Sequence, residues 1–224
     1  MVVMAENLGS SKPAACFTAE LMAAGKRALL SMLEALCARV DAAESSILRP
    51  QGDADLVFFA STNSTLMAGN LPKVPIGGSF AGIVCRTGQM IAVADAERQP
   101  GHFAGIDAVV GRATREYAAL PIADGSALLG VLTVVNRATA AGQGTRPFSI
   151  DELRVAQDAA SELVGPMIVL ERLDRGSAGA HRDNVSSVYD EAFVSDLLAL
   201  NETGRRIIRS VMAALIHDQQ IDRQ

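Results

Sequence analysis

Apolar residues recur at helical spacing in two long segments of the chain. The first extends from about Thr18 to Val40, and the second extends from Ile150 to about Leu173. In both segments, apolar positions three or four residues apart place a continuous stripe along one side of a helix. The pattern therefore predicts a long helix at each end of the central region.

Shorter apolar runs between these helices predict strands. "ESSILRP" and "DLVFFAST" flank the turn "PQGD", and "REYAALPIAD" and "ALLGVLTVVNR" flank Gly125-Ser126, so both pairs are predicted hairpins. "QMIAVAD" predicts another strand, "STLMAGNLPKVPIGG" is predicted to be irregular, and Ser79 is predicted to cap a helix that ends at Gly88. Strands that cluster as hairpins instead of βαβ units indicate an α+β fold with an antiparallel sheet.

Composition changes sharply after the second long helix and predicts the domain organisation. "DRGSAGAHRDN" is polar and contains glycine, which is typical of a linker. We therefore expect a flexible N-terminus over 1–17, a domain over 18–173, a linker over 174–185 and a helical C-terminal tail over 186–224.

Charge and cysteine content narrow the class of protein. The formal net charge is −5 and the pI is about 5.2, which argues against a nucleic-acid partner, since such proteins need a basic face. Cys16, Cys37 and Cys85 are odd in number and lack metal-ligand spacing, so neither a disulfide framework nor a metal site is expected. No apolar run approaches the roughly 20 residues of a membrane span, and no signal peptide is visible. We expect a cytoplasmic protein without a membrane partner.

The residues around Ser149 form a helix start signal. Ser149 and Glu152 have the S-x-x-E spacing of a capping box, and the flanking Phe148 and Leu153 have the spacing of a hydrophobic staple. Asp151 lies in the first turn, where a negative charge suits the helix dipole. These features predict a structural role for the segment without any ligand.

The same residues carry a family resemblance. Asn136-Arg137, then Phe148, then Asp151-Glu152 resembles the Asn-Lys…Phe…Asp-Glu signature of GAF domains, which occur in cyclic-nucleotide phosphodiesterases, phytochromes and bacterial sensor proteins. Arg137 occupies the lysine position, and we expect it to pair with the Asp151 carboxylate through a different fork geometry.

The resemblance extends upstream, so that it covers about residues 20–173. "VPIGGSFAGIVCRTGQMIAVAD" is similar to the central segment of the family, "PGHFAGID" to its Asp-Pro-x-Phe loop and "REYAALPIADGSALLGVLTVVNR" to its closing hairpin. The resemblance implies an antiparallel six-stranded sheet with terminal helices on one face and a loop-rich ligand segment on the other. It also implies a small-molecule pocket under the middle segment and dimerisation through the terminal helices.

The segment from Ser79 to Tyr117 has the composition of a ligand site, since it mixes glycines, polar groups and apolar walls. The predicted ligand-binding residues are its polar and aromatic side chains: Ser79, Phe80, Asp95, His102, Phe103, Asp107, Thr114 and Arg115. The sequence predicts neither catalytic nor metal-binding residues, and it does not identify a cofactor.

These observations favour a non-catalytic, regulatory, small-molecule-sensing GAF domain in bacterial-type signal transduction. Its expected partners are an unidentified small molecule, a second copy of the chain and a downstream signalling protein that contacts the C-terminal helices. One alternative is a GAF-fold enzyme such as a free methionine sulfoxide reductase, which would need two cysteines close together at the pocket. The other is a ligand-free dimerisation module, whose pocket would be filled by core side chains.

Overall fold

The structure is a computed structural model, and it describes residues 14–69, 71, 73–138 and 146–179. Two terminal stretches, 14–20 and 175–179, are described by their backbone only. The predicted tail, 186–224, lies outside the described residues, as do most of the predicted flexible N-terminus and the second half of the predicted linker.

Two long helices cover one face of the sheet and pack against each other. They are α1 (Ala14–Val40) and α4 (Ile150–Gly179). Both were predicted, but α1 begins before Thr18 and α4 continues beyond Leu173 into the predicted linker. Polar composition therefore misplaced the end of α4, because extending an existing helix by a few residues costs little when the added residues include no proline.

The described part of the chain forms one six-stranded antiparallel sheet. Its strands are β1 (Ala42–Gln51), β2 (Asp55–Ser61), β3 (Val74–Pro75), β4 (Ile91–Val93), β5 (Tyr117–Asp124) and β6 (Ala127–Arg137). Their spatial order is β3-β2-β1-β6-β5-β4, and each neighbouring pair is antiparallel. The α+β class and both predicted hairpins are confirmed. Strand β3 lies in the segment predicted to be irregular, because its two residues become a strand only by pairing with β2.

Short helices and loops cover the opposite face. They are α2 (Phe80–Thr87), α3 (Ala104–Val110) and the 3-10 helices Ser64–Met67 and Ala96–Arg98. The predicted caps of α2 are confirmed: the Ser79 hydroxyl accepts a hydrogen bond from the Gly82 amide, and Gly88 ends the helix with a φ of 65°. Only glycine adopts that left-handed conformation without strain.

The sheet separates two apolar clusters because successive side chains of a strand point to opposite faces. In β1, Ile47 packs under the long helices, whereas Leu48 packs under α2. The two long helices approach closely at Gly25, where an added Cβ would lie 2.4 Å from the side chain of Leu170. The face opposite the long helices remains available for a site.

Candidate functional site

A cavity of about 80 Å³, partly open to solvent, lies between the sheet and the segment that crosses its second face. Its apolar lining is Leu48, Phe58, Leu66, Val74, Phe80, Ala81, Phe103, Ile106, Val110, Tyr117 and Val135. Its polar lining is Glu44, Ser46, Ser79, His102, Asp107, Arg112, Thr114, Thr133 and Asn136. Mostly apolar walls with a few placed polar groups are typical of small-molecule sites.

Alternate residues of β1, β6 and β5 form the floor of the cavity. Glu44 pairs with Val135, which in turn pairs with Tyr117 across the sheet. Ser46 pairs with Thr133 in the next row. Because the strands alternate with a period of two, these side chains all project to the cavity side. The sheet therefore presents both an acidic group and hydroxyl groups at an otherwise apolar floor.

Helix α2 forms one wall, and two residues hold it in place. The buried Ser79 hydroxyl donates to the Pro75 carbonyl at 2.6 Å and accepts from the Gly82 amide at 2.9 Å. A Cβ at Gly82 would lie 2.2 Å from the carbonyl oxygen of Ile76, so glycine allows α2 to rest directly on this backbone. The result is that Phe80, the first residue of α2, is held against the cavity.

Asp107 organises the cover formed by α3 and the loop after it. Its Oδ1 accepts from the Thr114 hydroxyl at 2.6 Å, and its Oδ2 accepts from the Thr114 amide at 2.9 Å. Nε2 of His102 lies 3.1 Å from the same Oδ2. Three polar residues of the lining therefore bind one another and fix the shape of the cover.

An ion pair joins this cover to the floor. Arg112, which follows α3, contacts Glu44 of β1 through its guanidinium group. Arg112 is half exposed at the rim, whereas Glu44 is largely buried. The two charged lining residues outside the cluster around Asp107, namely Arg112 and Glu44, therefore form an ion pair with each other.

Tyr117 adds a hydroxyl group to the otherwise apolar, aromatic part of the lining. Its ring lies 5.3 Å from that of Phe80, at an interplanar angle of 39°. Burial raises the pKa of its hydroxyl well above the usual range. None of the described residues forms a hydrogen bond with this hydroxyl, so the cavity contains one polar group without a protein partner.

Six of the eight predicted ligand-binding residues line the cavity: Ser79, Phe80, His102, Phe103, Asp107 and Thr114. Asp95 and Arg115 are outside the lining. Asp95 has a φ of 51° and precedes a 3-10 helix, and Arg115 is exposed while its amide donates to Asn136. All eight residues were predicted from the composition of their segment, which contains no information on which side chains point toward the cavity.

The sequence-based prediction missed the floor and Arg112. Part of the floor could have been found in the sequence. Glu44 and Ser46 alternate in β1, and Thr133 interrupts the apolar run of β6. A polar residue on the buried face of a strand needs a partner, so it indicates an internal site. Arg112 gives no such signal, because its partner is distant in sequence.

Asn136, the first residue of the family signature, connects the end of β6 to the loop before β5. Its φ is 57°, a left-handed conformation that asparagine tolerates better than most residues. Its Oδ1 accepts from the Arg115 amide at 2.8 Å, and its Nδ2 donates to the Ala113 carbonyl at 3.1 Å. Asn136 therefore holds the loop that bears the cavity lining.

Arg137 connects both long helices to the sheet, and its guanidinium uses all five of its N–H donors. Two donate to the two oxygens of Glu152, at 2.7 and 2.8 Å. The others donate to the carbonyls of Val40 at 2.7 Å, Pro147 at 2.8 Å and Arg146 at 3.1 Å. Val40 is the last residue of α1, so one side chain ties the end of α1 to the start of α4.

The predicted pairing of Arg137 with Asp151 is wrong. The Asp151 side chain is 90% exposed and contacts Arg154 at 3.3 Å. Successive helical residues are rotated by about 100° around the axis, so Asp151 points to solvent when Glu152 points back toward the strand end. The capping-box hydrogen bonds orient the Glu152 carboxylate toward Arg137, so Glu152 and not Asp151 forms the ion pair.

The capping box itself is confirmed. The Ser149 amide donates to Glu152 at 2.7 Å, and the Glu152 amide donates to the Ser149 hydroxyl at 3.3 Å. The hydrogen bonds from Arg137 are the main reason that the pKa of Glu152 is lowered to about 2, and the bonds from Ser149 contribute. The Phe148 ring lies 4.1 Å from the guanidinium carbon of Arg137. The signature residues therefore form a structural junction beside the cavity.

The cysteines with described side chains are separated by the sheet. Cys37 packs beside the core under the long helices, whereas Cys85 packs with the cluster under α2, and neither lines the cavity. Burial raises the pKa of both thiols, which makes them poor nucleophiles.

No group of at least three His, Cys, Asp or Glu side chains in the described ranges is arranged to hold a metal ion. Within those ranges, the helices lack the combination of length and apolar character that crossing a bilayer requires.

Known proteins are similar to this chain in sequence pattern and in fold. The GAF domain family model matches residues 26–164. The GAF domain of a phosphoenolpyruvate-protein phosphotransferase from Coxiella burnetii has a TM-score of 0.55 at 18% identity, covering 72% of this chain and 98% of its own. The corresponding domain from Acinetobacter has a TM-score of 0.52 at 14% identity, with coverages of 74% and 99%.

An enzyme has a similar fold as well. The type II free methionine-R-sulfoxide reductase from Thermoplasma acidophilum has a TM-score of 0.51 at 10% identity, covering 66% of this chain and 94% of its own. No curated protein matches the chain. At these identities the similarities show the fold.

Proposed function

The chain belongs to the GAF domain family, whose members are generally sensory or regulatory modules, and on this premise we propose that it is a non-catalytic, small-molecule-sensing regulatory domain of bacterial-type signal transduction. The ligand would occupy the cavity between the sheet and the cover. Occupancy would change the packing of the long helices and thereby the activity of a downstream partner.

The observation that carries the proposal is the adjacency of Asn136 and Arg137. Asn136 lines the cavity and holds the loop that bears Thr114, and the next residue holds the ends of α1 and α4. A ligand that displaces this loop would strain the end of β6. Because Arg137 bonds to both helices, that strain would reach them without any intervening flexible segment.

A change at the helices requires that the ligand bind two states with different affinity. The ion pair between Arg112 and Glu44 supplies a candidate two-state contact, since it joins cover and floor and its arginine lies at the rim. A ligand that favours the closed cover would keep this pair formed. The absence of ligand would favour a looser cover and a looser strand end.

The enzymatic alternative, methionine sulfoxide reduction, receives no support from the described thiols. Cys37 and Cys85 lie on opposite sides of the sheet and outside the cavity lining. A sulfoxide reductase needs a reactive thiol at the substrate and a second thiol to resolve the oxidised product. The positions of these two residues support the non-catalytic proposal.

A homodimer through α1 and α4 is part of the proposal. Apolar side chains remain half-buried beside the packed face of these helices, among them Met22, Met32, Val155 and Val164. A second copy of the chain would complete their burial. The downstream partner is proposed to contact the C-terminal tail, which follows α4 in the sequence.

The test combines native mass spectrometry with hydrogen exchange on the full chain purified from its source organism. We expect a small molecule that is released on denaturation. Its removal should raise amide exchange near Val40 and near Ser149, while the exposed turn after Gln51 serves as the internal control and should not change. A chain that retains no molecule, and whose helix ends respond to no compound that binds, would favour the dimerisation module.

A further inference from the structure

Aromatic residues are concentrated at the cavity. The whole chain contains seven phenylalanines, two tyrosines and no tryptophan. Four of these nine line this one cavity: Phe58, Phe80, Phe103 and Tyr117. Aromatic side chains favour stacked or edge-to-face contact with another ring, which adds to the gain from burying its area. The lining therefore favours a ligand with an aromatic ring.

The charged lining residues already have partners within the lining. Glu44 contacts Arg112, and Asp107 is held by His102 and Thr114. A charged ligand would have to break one of these pairs or leave its own charge without a partner in a mostly apolar space, and either is costly. The lining therefore favours a neutral ligand.

One polar group of the cavity lining is available to a ligand. The hydroxyls of Ser46 and Ser61 are 2.8 Å apart and satisfy each other, and the Thr133 hydroxyl donates to the Ser46 carbonyl at 3.4 Å. The Tyr117 hydroxyl has no such partner among the described residues. Tyr117 is only partly buried, and no fully buried side-chain polar atom of the described residues lacks a partner. The Tyr117 hydroxyl is therefore accessible from the cavity, and a ligand with a matching group would gain one hydrogen bond there.

The size of the cavity sets an upper limit. Its volume is about 80 Å³, whereas a protein cavity of about 150 Å³ holds benzene. A single ring fits only by extending toward the open rim. Nucleotides and tetrapyrroles are excluded from this conformation, since drug-sized ligands occupy about 300–1,000 Å³.

We propose that the cavity binds a neutral, single-ring aromatic compound whose hydroxyl or carbonyl group forms a hydrogen bond with Tyr117. This inference rests on the proposed sensory function and adds the chemical class of its ligand. The ring would lie among the four aromatic side chains, and its polar group would lie at the floor.

Matched pairs of probe compounds test the hydrogen bond, the aromatic ring and the neutral charge separately. Their dissociation constants are measured by ligand-observed NMR on the full chain at pH 7. Phenol should bind more tightly than toluene, by about 3- to 10-fold for one hydrogen bond. Phenol should also bind more tightly than cyclohexanol, by a similar factor, because the saturated ring loses the aromatic contacts. Benzamide should bind at least about tenfold more tightly than benzoate, and benzyl alcohol more tightly than benzylammonium, since the members of each pair have similar size and shape but only one of them is charged.

The variant Tyr117→Phe identifies the floor contact. Since the hydroxyl forms no hydrogen bond with the described residues, its removal should not impair folding, which a urea melt checks. Toluene should bind the variant as it binds the parent chain, whereas the preference for phenol should fall to about one. If Tyr117→Phe retains the phenol preference, the assigned contact is wrong.

Other results would overturn the ligand class and leave the sensory function standing. Tighter binding of benzoate or benzylammonium than of the neutral isosteres would reject neutrality, and equal binding of cyclohexanol and phenol would reject the aromatic requirement. If none of the probes binds at 10 mM or so, far weaker than typical ligand sites, the class is rejected. The sensory function is judged separately, by the molecule retained from the source organism and by exchange at the helix ends.

Discussion

Replacing Glu152 with glutamine isolates the charge of the junction between β6, α1 and α4. Glutamine also serves in a capping box, so the hydrogen bond from the Ser149 amide is preserved. The substitution removes the negative partner of Arg137, whose side chain is only 1% exposed. It therefore leaves a buried guanidinium without a counter-ion.

The size of the effect follows from the pKa of the carboxylate. The Arg137 hydrogen bonds, with a smaller contribution from Ser149, lower the pKa of Glu152 from its ordinary 4.5 to about 2. At about 1.4 kcal/mol for each pH unit, this difference corresponds to about 3 kcal/mol of folding free energy at neutral pH. The side chain is 18% exposed, and solvent screening of this part makes about 3 kcal/mol an upper value. Breaking buried ion pairs typically costs about 3–5 kcal/mol, which agrees.

The pH dependence has a defined direction. Because the pKa is lower in the folded chain, the contribution is complete above about pH 4.5 and is lost as the pH falls toward 2. At pH 3 about 1.4 kcal/mol of it should remain. Urea melts of the parent chain and of Glu152→Gln at pH 7, 4 and 3 should show a difference in unfolding free energy that shrinks as the pH falls.

The adjacent carboxylate provides a matched control. Asp151→Asn removes a 90% exposed partner of Arg154, and exposed pairs contribute about 0–1 kcal/mol. A large loss of unfolding free energy for Asp151→Asn with a small loss for Glu152→Gln would show that Arg137 pairs with Asp151 and not with Glu152.

Three further predictions concern folding and assembly. Ser149→Ala should lower the unfolding free energy by about 1 kcal/mol, because it removes the acceptor of the Glu152 amide, and an unchanged urea melt would contradict this. Gly82→Ala should cost about 2–3 kcal/mol, because the new Cβ would lie 2.2 Å from the Ile76 carbonyl oxygen, whereas Gly77→Ala meets nothing within 4 Å; equal melts for the two variants would count against this packing. Light scattering at micromolar concentration should give the mass of a dimer, and a monomer under those conditions would reject dimerisation through α1 and α4.

The long helices, the two hairpins and the caps at Ser79, Gly88 and Ser149 could all be predicted from the sequence. Each depends on residues within a few positions of one another, through periodicity, a turn or a side chain that reaches a nearby amide. The α+β class followed from the order of these local elements, whereas the family followed from the resemblance of the sequence motifs to those of GAF domains.

The partners of the charged side chains, and the face of the sheet toward which side chains point, could be known only from the tertiary structure. Arg137 binds Glu152 instead of Asp151 because the rotation of α4 relative to the end of β6 brings one carboxylate inward. The cavity floor combines Glu44 with Val135 and Tyr117, residues that strand register alone brings together. The inward direction of Thr114 and the outward direction of Arg115 depend on the loop that Asn136 holds. These features are non-local: their energies come from groups far apart in the chain, so no window of neighbouring residues contains them.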